Sequence, residues 1–309
     1  MTFNHTKGMK VAGFLRADYH RKAMVAGMLV LAGSAGIQVS AAIAASLFTK
    51  IGPLGVSGLR MLIAAGFLIL VSRPKLRMRT RAEWFGISLF GVAMAAMNVC
   101  LYSALEHLPL GVAVTLEFLG PFTVALLGVR RPRDGFFALL ALFGVILIGG
   151  PSGEFDPVGF GLGLGAAVSF GAYTLLAGKV GERTDGIDGL ALSVAVAATV
   201  LLPYSIPAVP GLDSNEWLLL AVSGIFGVAF AFTADVIAIR LTSPRVAGVL
   251  FSIDPAMGSL VGALALGQIL GLWTLVGITC VAISGGVVTW RAGRTPPESS
   301  RGATPSIVI

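Results

Sequence analysis

The chain has 309 residues, 56% of them hydrophobic and only 12% charged, with a net charge of +7 and a mean hydropathy of +0.89. A soluble domain of this length has no use for so much apolar surface. Uninterrupted apolar runs of about 18 residues or more read as membrane helices, and because they do not alternate they exclude a transmembrane β-barrel.

Residues 1–23 form a basic tail with Lys7, Lys10, Arg16, Arg21 and Lys22, and with no apolar core of a signal peptide. Ten apolar spans follow. The first runs from Met24 to Phe48, the second from Pro53 to Ser72, the third from Trp84 to Leu105, the fourth from Leu110 to Val129 and the fifth from Gly135 to Gly150. The Gly/Pro-rich, acidic turn Pro151–Pro157 is the natural midpoint. Beyond it the spans cover Val158–Gly178, Gly189–Ile206, Trp217–Ile239, Val246–Leu266 and Leu272–Trp290, with a polar, turn-forming loop at Pro207–Glu216. The chain thus divides into a first five-helix half (24–150), a second (151–290) and a Pro/Ser/Gly/Arg-rich tail (291–309) that reads as disordered and cytoplasmic. The expected fold class is all-α, a polytopic membrane protein of ten transmembrane helices.

Of the lysines and arginines, all but Lys50 and Arg60 fall in loops and tails on one side of this layout. By the positive-inside rule that side is the cytoplasm, and both termini lie there. The same topology accounts for the net charge, so no nucleic-acid partner is expected; the partners are the lipid bilayer and a small molecule. Cys100 and Cys280 fall inside spans and read as small apolar residues. His5, His20 and His107 lie in no motif, and no metal cluster, nucleophile elbow or phosphate-binding loop is present, so no cofactor or metal is expected. Without a nucleotide site the chain reads as a secondary transporter rather than an enzyme.

A span count of five per half is odd, so the second half enters the membrane upside down. That is an inverted repeat, the arrangement that lets one site open alternately to either face. A shift of 134 residues lays Val112 on Val246, Ala113 on Ala247, Leu116 on Leu250, Pro121 on Pro255 and Gly128 on Gly262 without a gap. Each copy holds an acid near its proline: Glu117 in the fourth span and Asp254 in the ninth. Both sit at mid-depth, about 10 and 14 Å in at 1.5 Å per residue. Pro121 also frees the carbonyl four residues earlier, that of Glu117. Pro121 and Pro255 therefore read as helix-breaking, and Glu117 and Asp254 as a proton-coupling site or an anchor for a substrate ammonium. The plainer reading of each acid is a neutral carboxyl packing against a neighbouring helix.

Other polar residues inside spans are candidates for substrate binding or ion coupling. Arg60 can bind a substrate carboxylate, neutralise Glu117 or Asp254, or snorkel to the outer interface. Asp235, near the inner end of its span, reads as an exit or gate residue or as an interfacial one. Gln38, Asn98, Tyr102, Ser169 and Tyr173 can line a cavity for a small zwitterion or act as interhelical glue. His107 reads as a solvated loop residue.

The residues Gly36-Ile37-Gln38, Leu59-Arg60, Met97-Asn98, Leu101-Tyr102, Pro109-Leu110-Gly111, Leu116-Glu117-Phe118, Gly120-Pro121 and Asp254-Pro255-Ala256 carry a resemblance across the spans, though not the tails. The sequence resembles the drug/metabolite transporter superfamily in its EamA branch, and in particular the bacterial inner-membrane threonine/homoserine exporters. Those exporters usually show glutamate before the second proline, where this chain has Asp254. The resemblance implies export of a small metabolite such as an amino acid across the inner membrane, by alternating access, with protons as the candidate coupling ion. Two other readings compete: export of a drug or other metabolite, and an intramembrane enzyme, which would need a nucleophile or metal set that the spans lack.

Overall fold

A computed structural model describes residues 5–76, 79–127, 135–149, 156–183 and 187–292. Among them there are helices and no strands. The order is α1 (His5–Ala45), α2 (Phe48–Ser72), α3 (Arg81–Ala104), α4 (Leu110–Leu126), α5 (Gly135–Gly149), α6 (Pro157–Arg183), α7 (Asp188–Ser205), α8 (Ser214–Gly224), α9 (Ala231–Leu241), α10 (Pro244–Leu250), α11 (Asp254–Leu266) and α12 (Leu272–Ala292). Seven stretches are long and apolar enough to cross a membrane, and three shorter apolar helices, Leu110–Val124, Leu139–Ile148 and Leu272–Ser284, accompany them. The end of the fourth span with Arg130, Arg131 and Arg133, the boundary at Gly150–Pro151, and the tail from residue 293 lie outside the described residues.

Several boundaries depart from the plain run of apolar residues. Helix α1 continues back through the basic stretch to His5, because no proline interrupts it there. Helix α2 starts at Phe48, ahead of its proline. Gly52 takes φ +69° just before Pro53, so the chain kinks and re-enters the helix without an N–H to satisfy. The eighth span is two helices joined by a π turn, Ile225–Phe230. The ninth is two joined by a 3-10 turn, Phe251–Ile253, after which Pro255 stands in the first turn of α11. Pro121, in contrast, sits inside a continuous α4.

Helix ends at the loops are closed by side chains. Thr80 with Glu83, and Asp213 with Glu216, form reciprocal capping boxes at α3 and α8. Asp156 accepts from Val158 N and Gly159 N at the start of α6, at 2.9 and 3.2 Å. Gln268, in the α11–α12 loop, accepts from Leu110 N at 3.0 Å and so holds the N-terminal end of α4.

The helices pack mainly in pairs across the chain's midpoint: α3 on α6 and α7, α2 on α7, α5 on α12, α4 on α6 and α11, and α1 on α9. Small residues permit the closest crossings. At Gly120 of α4 a Cβ would run into Ala167 O and sit 2.7 Å from Gly171 N, so α4 and α6 touch backbone to backbone. The outward faces carry Leu70, Phe85, Val168 and Leu264, each at least 70% exposed. Apolar exposure on that scale suits hydrocarbon rather than water.

Candidate functional site

Helix α4 runs antiparallel to α10–α11, and the register can be read from close approaches. Gly111 lies on Ser259, Val114 on Gly258 and Pro121 on Gly248. That register brings Glu117 level with Asp254, and the two carboxyls lie within electrostatic reach. A third acid joins them. Asp235 of α9 is 3% exposed and acts electrostatically on Glu117, as Asp254 does on Asp235. Its carboxyl lies against Gly33 of α1 and faces the phenol of Tyr173 from α6. Ser34 of α1 stands beside Asp254, and Gln38, one turn on, lies against Gly258.

Glu117 and Asp254 are each 7% exposed. Three acids from three helices thus turn inward, away from lipid, where charged side chains are least costly and mark pathways. Tyr173 is walled by aromatic rings: Phe90 at 5.1 Å, Phe232 at 5.5 Å and Phe170 at 5.6 Å between centroids. These rings fix its phenol toward Asp235.

Arg60 goes elsewhere. It is 2% exposed, so it does not snorkel, and no ion pair joins it to Glu117 or Asp254 among the described residues. Its Nη2 donates to Ser40 Oγ, and its guanidinium lies 4.9 Å from the ring centroid of Tyr102. Ser40 Oγ in turn donates to Ser223 O at 2.8 Å, and Ser223 Oγ donates to Ser40 O at 3.0 Å. This reciprocal pair binds α1 to α8 beside the π turn.

The remaining candidates sort plainly. Asp235 is buried in the acid cluster rather than interfacial, because α9 packs on α1 and α6. Asn98 donates from Nδ2 to Met94 O at 3.0 Å, and Ser169 Oγ to Gly165 O at 2.9 Å, both within their own helices. His107 is not simply solvated: its Nδ1 pairs with Asp156 Oδ2 at 2.7 Å. Hydrogen bonds from the Gly159 backbone, with further ones from His107 and Val158, hold the Asp156 carboxyl below its usual range. Cys100 and Cys280 are both free thiols, partly buried. The sequence reading missed Ser34, Ser40 and Ser223; hydroxyls inside apolar spans were the available signal, and most such hydroxyls bond their own helix instead.

A bundle of apolar helices that turns its acids inward and its apolar side chains outward is the architecture of a polytopic membrane transporter. The sequence profile of the EamA-like transporter family matches residues 157–290. The threonine/homoserine exporter RhtA of Salmonella typhimurium (strain LT2) is 30% identical over 263 residues, 83% of this chain and 86% of that protein. The threonine/homoserine exporter RhtA of Escherichia coli (strain K12) is 29% identical over 278 residues, 87% and 90% of the two chains. A crystal structure at 20% identity superposes with a TM-score of 0.63 over 87% of this chain and 98% of its own, a likeness of fold. The chain belongs to the EamA-like transporter family of the drug/metabolite transporters, and it is a transporter rather than an enzyme.

Proposed function

We propose that this protein exports a small zwitterionic metabolite, an amino acid such as threonine or homoserine, across a bacterial cytoplasmic membrane by alternating access. The observation that carries the reading is the meeting of Glu117, Asp235 and Asp254, from three separate helices, in the interior of the bundle. The cluster receives the substrate ammonium or the coupling proton, and Tyr173, Ser34 and Gln38 supply hydrogen bonds around it.

The helix pairings support an inverted repeat of ten spans. Exchanging each span with the one five places along turns the α3–α6 contact into that between α1 and the eighth span, α8–α9. It also turns the α3–α7 contact into that between α2 and α8. The α2–α7, α5–α12 and α4–α11 contacts map onto themselves. A molecule built this way can repack one half against the other around a fixed centre. Threonine/homoserine export by the two RhtA relatives supports the substrate class, and the one-sided basic loops support cytoplasmic termini.

The test is efflux of preloaded labelled threonine and homoserine from cells expressing the chain, compared with cells lacking it, together with growth on toxic analogues of both. Faster efflux and greater tolerance are expected. Equal efflux and equal tolerance at confirmed membrane expression would sink the substrate assignment.

A further inference from the structure

Among the described residues, Arg60 is a buried charge that lies outside the acid cluster. We propose that the Arg60 guanidinium, set between α1, α3 and the π turn of the eighth span, is the subsite that receives the carboxylate of the transported solute. The proposal rests on the exporter reading above and adds what the solute must carry: a carboxylate at one end, opposite the ammonium taken by the acids.

The argument begins with the cost of the charge. A guanidinium stays protonated throughout the physiological range and offers five N–H donors. Arg60 lies about halfway along α2 at 2% exposure. Among the described residues its hydrogen-bond partner is a neutral hydroxyl, Ser40 Oγ, while Nε and Nη1 are buried without a hydrogen-bond partner. Three ion pairs, Lys50 with Glu216, Arg79 with Asp188 and His107 with Asp156, lie at helix ends and loops and do not involve Arg60. A buried charge with donors to spare is strongly unfavourable unless an anion joins it. The Tyr102 ring face softens that cost without supplying an acceptor.

Local construction keeps the guanidinium in place. In the π turn, a Cβ on Gly227 would run into Ser40 Oγ and sit 2.7 Å from Arg60 Nη2, so the turn leaves room that only glycine leaves. π turns inside α-helices are frequent at functional sites. The Ser40–Ser223 exchange locks α1 to α8 at the same level.

The spacing suits a small zwitterion. Ser34 stands beside Asp254 and Ser40 holds Arg60. Six residues of α1 separate them, about 9 Å along the axis. An α-amino acid head with a charge-assisted hydrogen bond of about 2.8 Å at either end spans a similar axial distance, and the two serines stand about 120° apart around α1. A planar carboxylate also matches the planar donor set of arginine.

The experiment uses the full chain in phosphatidylcholine vesicles, whose zwitterionic headgroups carry no net charge, in a carboxylate-free buffer, so that the solute is the only carboxylate supplied. Vesicles are preloaded with labelled L-threonine, L-homoserine or other small amino acids, or with the matching amino alcohols, which keep the ammonium and lack the carboxylate. The wild type is expected to move the acids at least about tenfold faster than the alcohols. Arg60→Gln should raise KM for the acids by about ten- to a hundredfold, the effect of losing a hydrogen bond to a charged group, and erase the preference. Arg60→Lys should retain part of it. Movement of other amino acids but not threonine or homoserine, with the preference intact, sinks the substrates proposed above and supports Arg60. Equal movement of alcohols and acids by the wild type, which needs no variant to fold, overturns the proposal. So does an unchanged preference in Arg60→Gln, or a wild type that moves no carboxylate-bearing solute.

Discussion

Gly120→Ala is the sharpest single-atom test of how the site is held. The added Cβ would meet backbone, not a flexible side-chain end: it runs into Ala167 O and lies 2.7 Å from Gly171 N and 2.9 Å from Ala167 C. Ordinary contact needs about a further 1 Å, so α4 and α6 must part at their crossing. Overpacking of this kind costs about 1–3 kcal/mol, offset by about 1 kcal/mol of helix propensity gained on replacing glycine with alanine. A modest net loss of stability is expected. The larger effect falls on transport, because Glu117 sits one turn before Gly120 on the same helix and moves with it. Displacements of about 1 Å at a positioned group can cost a hundredfold in rate. Gly161→Ala is the matched control: it lies on α6 with nothing within 4 Å of the added Cβ. The assays are thermal unfolding in detergent and efflux from vesicles, each normalised to inserted protein. Gly161→Ala should match the wild type in efflux and unfold at the same temperature or slightly above it, by the helix propensity gained. If Gly120→Ala matches the wild type in both assays, α4 does not depend on backbone contact with α6 and the reasoning fails.

Glu117→Gln and Asp235→Asn should each reach the membrane yet lose most efflux and its dependence on external pH, since the amides keep the shape and cannot carry a proton or a charge; wild-type rate and pH profile in both would make these acids packing residues. Asp254→Asn is expected to behave alike and more mildly, because its own N–H donates to Phe251 O in the 3-10 turn and survives the change. Gly227→Ala should disturb Arg60 without touching the acid cluster, raising KM for carboxylate solutes while the pH profile of efflux stays as in the wild type; an altered pH profile with unchanged KM would contradict the separation of the two sites. Asp156 has a folded-state pKa below its unfolded value, so its contribution is present above about pH 4, the ordinary aspartate range, and lost as pH falls through the lowered value. Asp156→Asn should therefore unfold more easily than the wild type at pH 7, with the difference closing in acid; a constant difference across pH would mean that the charge plays no part.

The membrane class and the place of most spans followed from the chain alone, because hydrocarbon accepts only long apolar helices and that constraint is local. Met24–Phe48, Trp84–Leu105 and Trp217–Ile239 can each be read without knowing a neighbour. Glu117 and Asp254 were legible for the same reason: an acid inside an apolar run is conspicuous in one dimension. What one dimension lacks is direction around the helix axis and the identity of the facing helix. Asp235 reads as interfacial from its distance to the span's end, yet packing of α9 on α1 and α6 buries it with the other two acids. Arg60 reads as a carboxylate binder, a partner for those acids or a snorkelling residue, yet the crossing of α1, α2 and the π turn buries it and gives it to Ser40 and Tyr102. Apolar periodicity could not foretell the π turn, whose residues Ile225–Phe230 are as apolar as their surroundings. Burial cost is set residue by residue along the chain, whereas the partners of a buried charge are set by helix crossings, and those exist only once the bundle has packed.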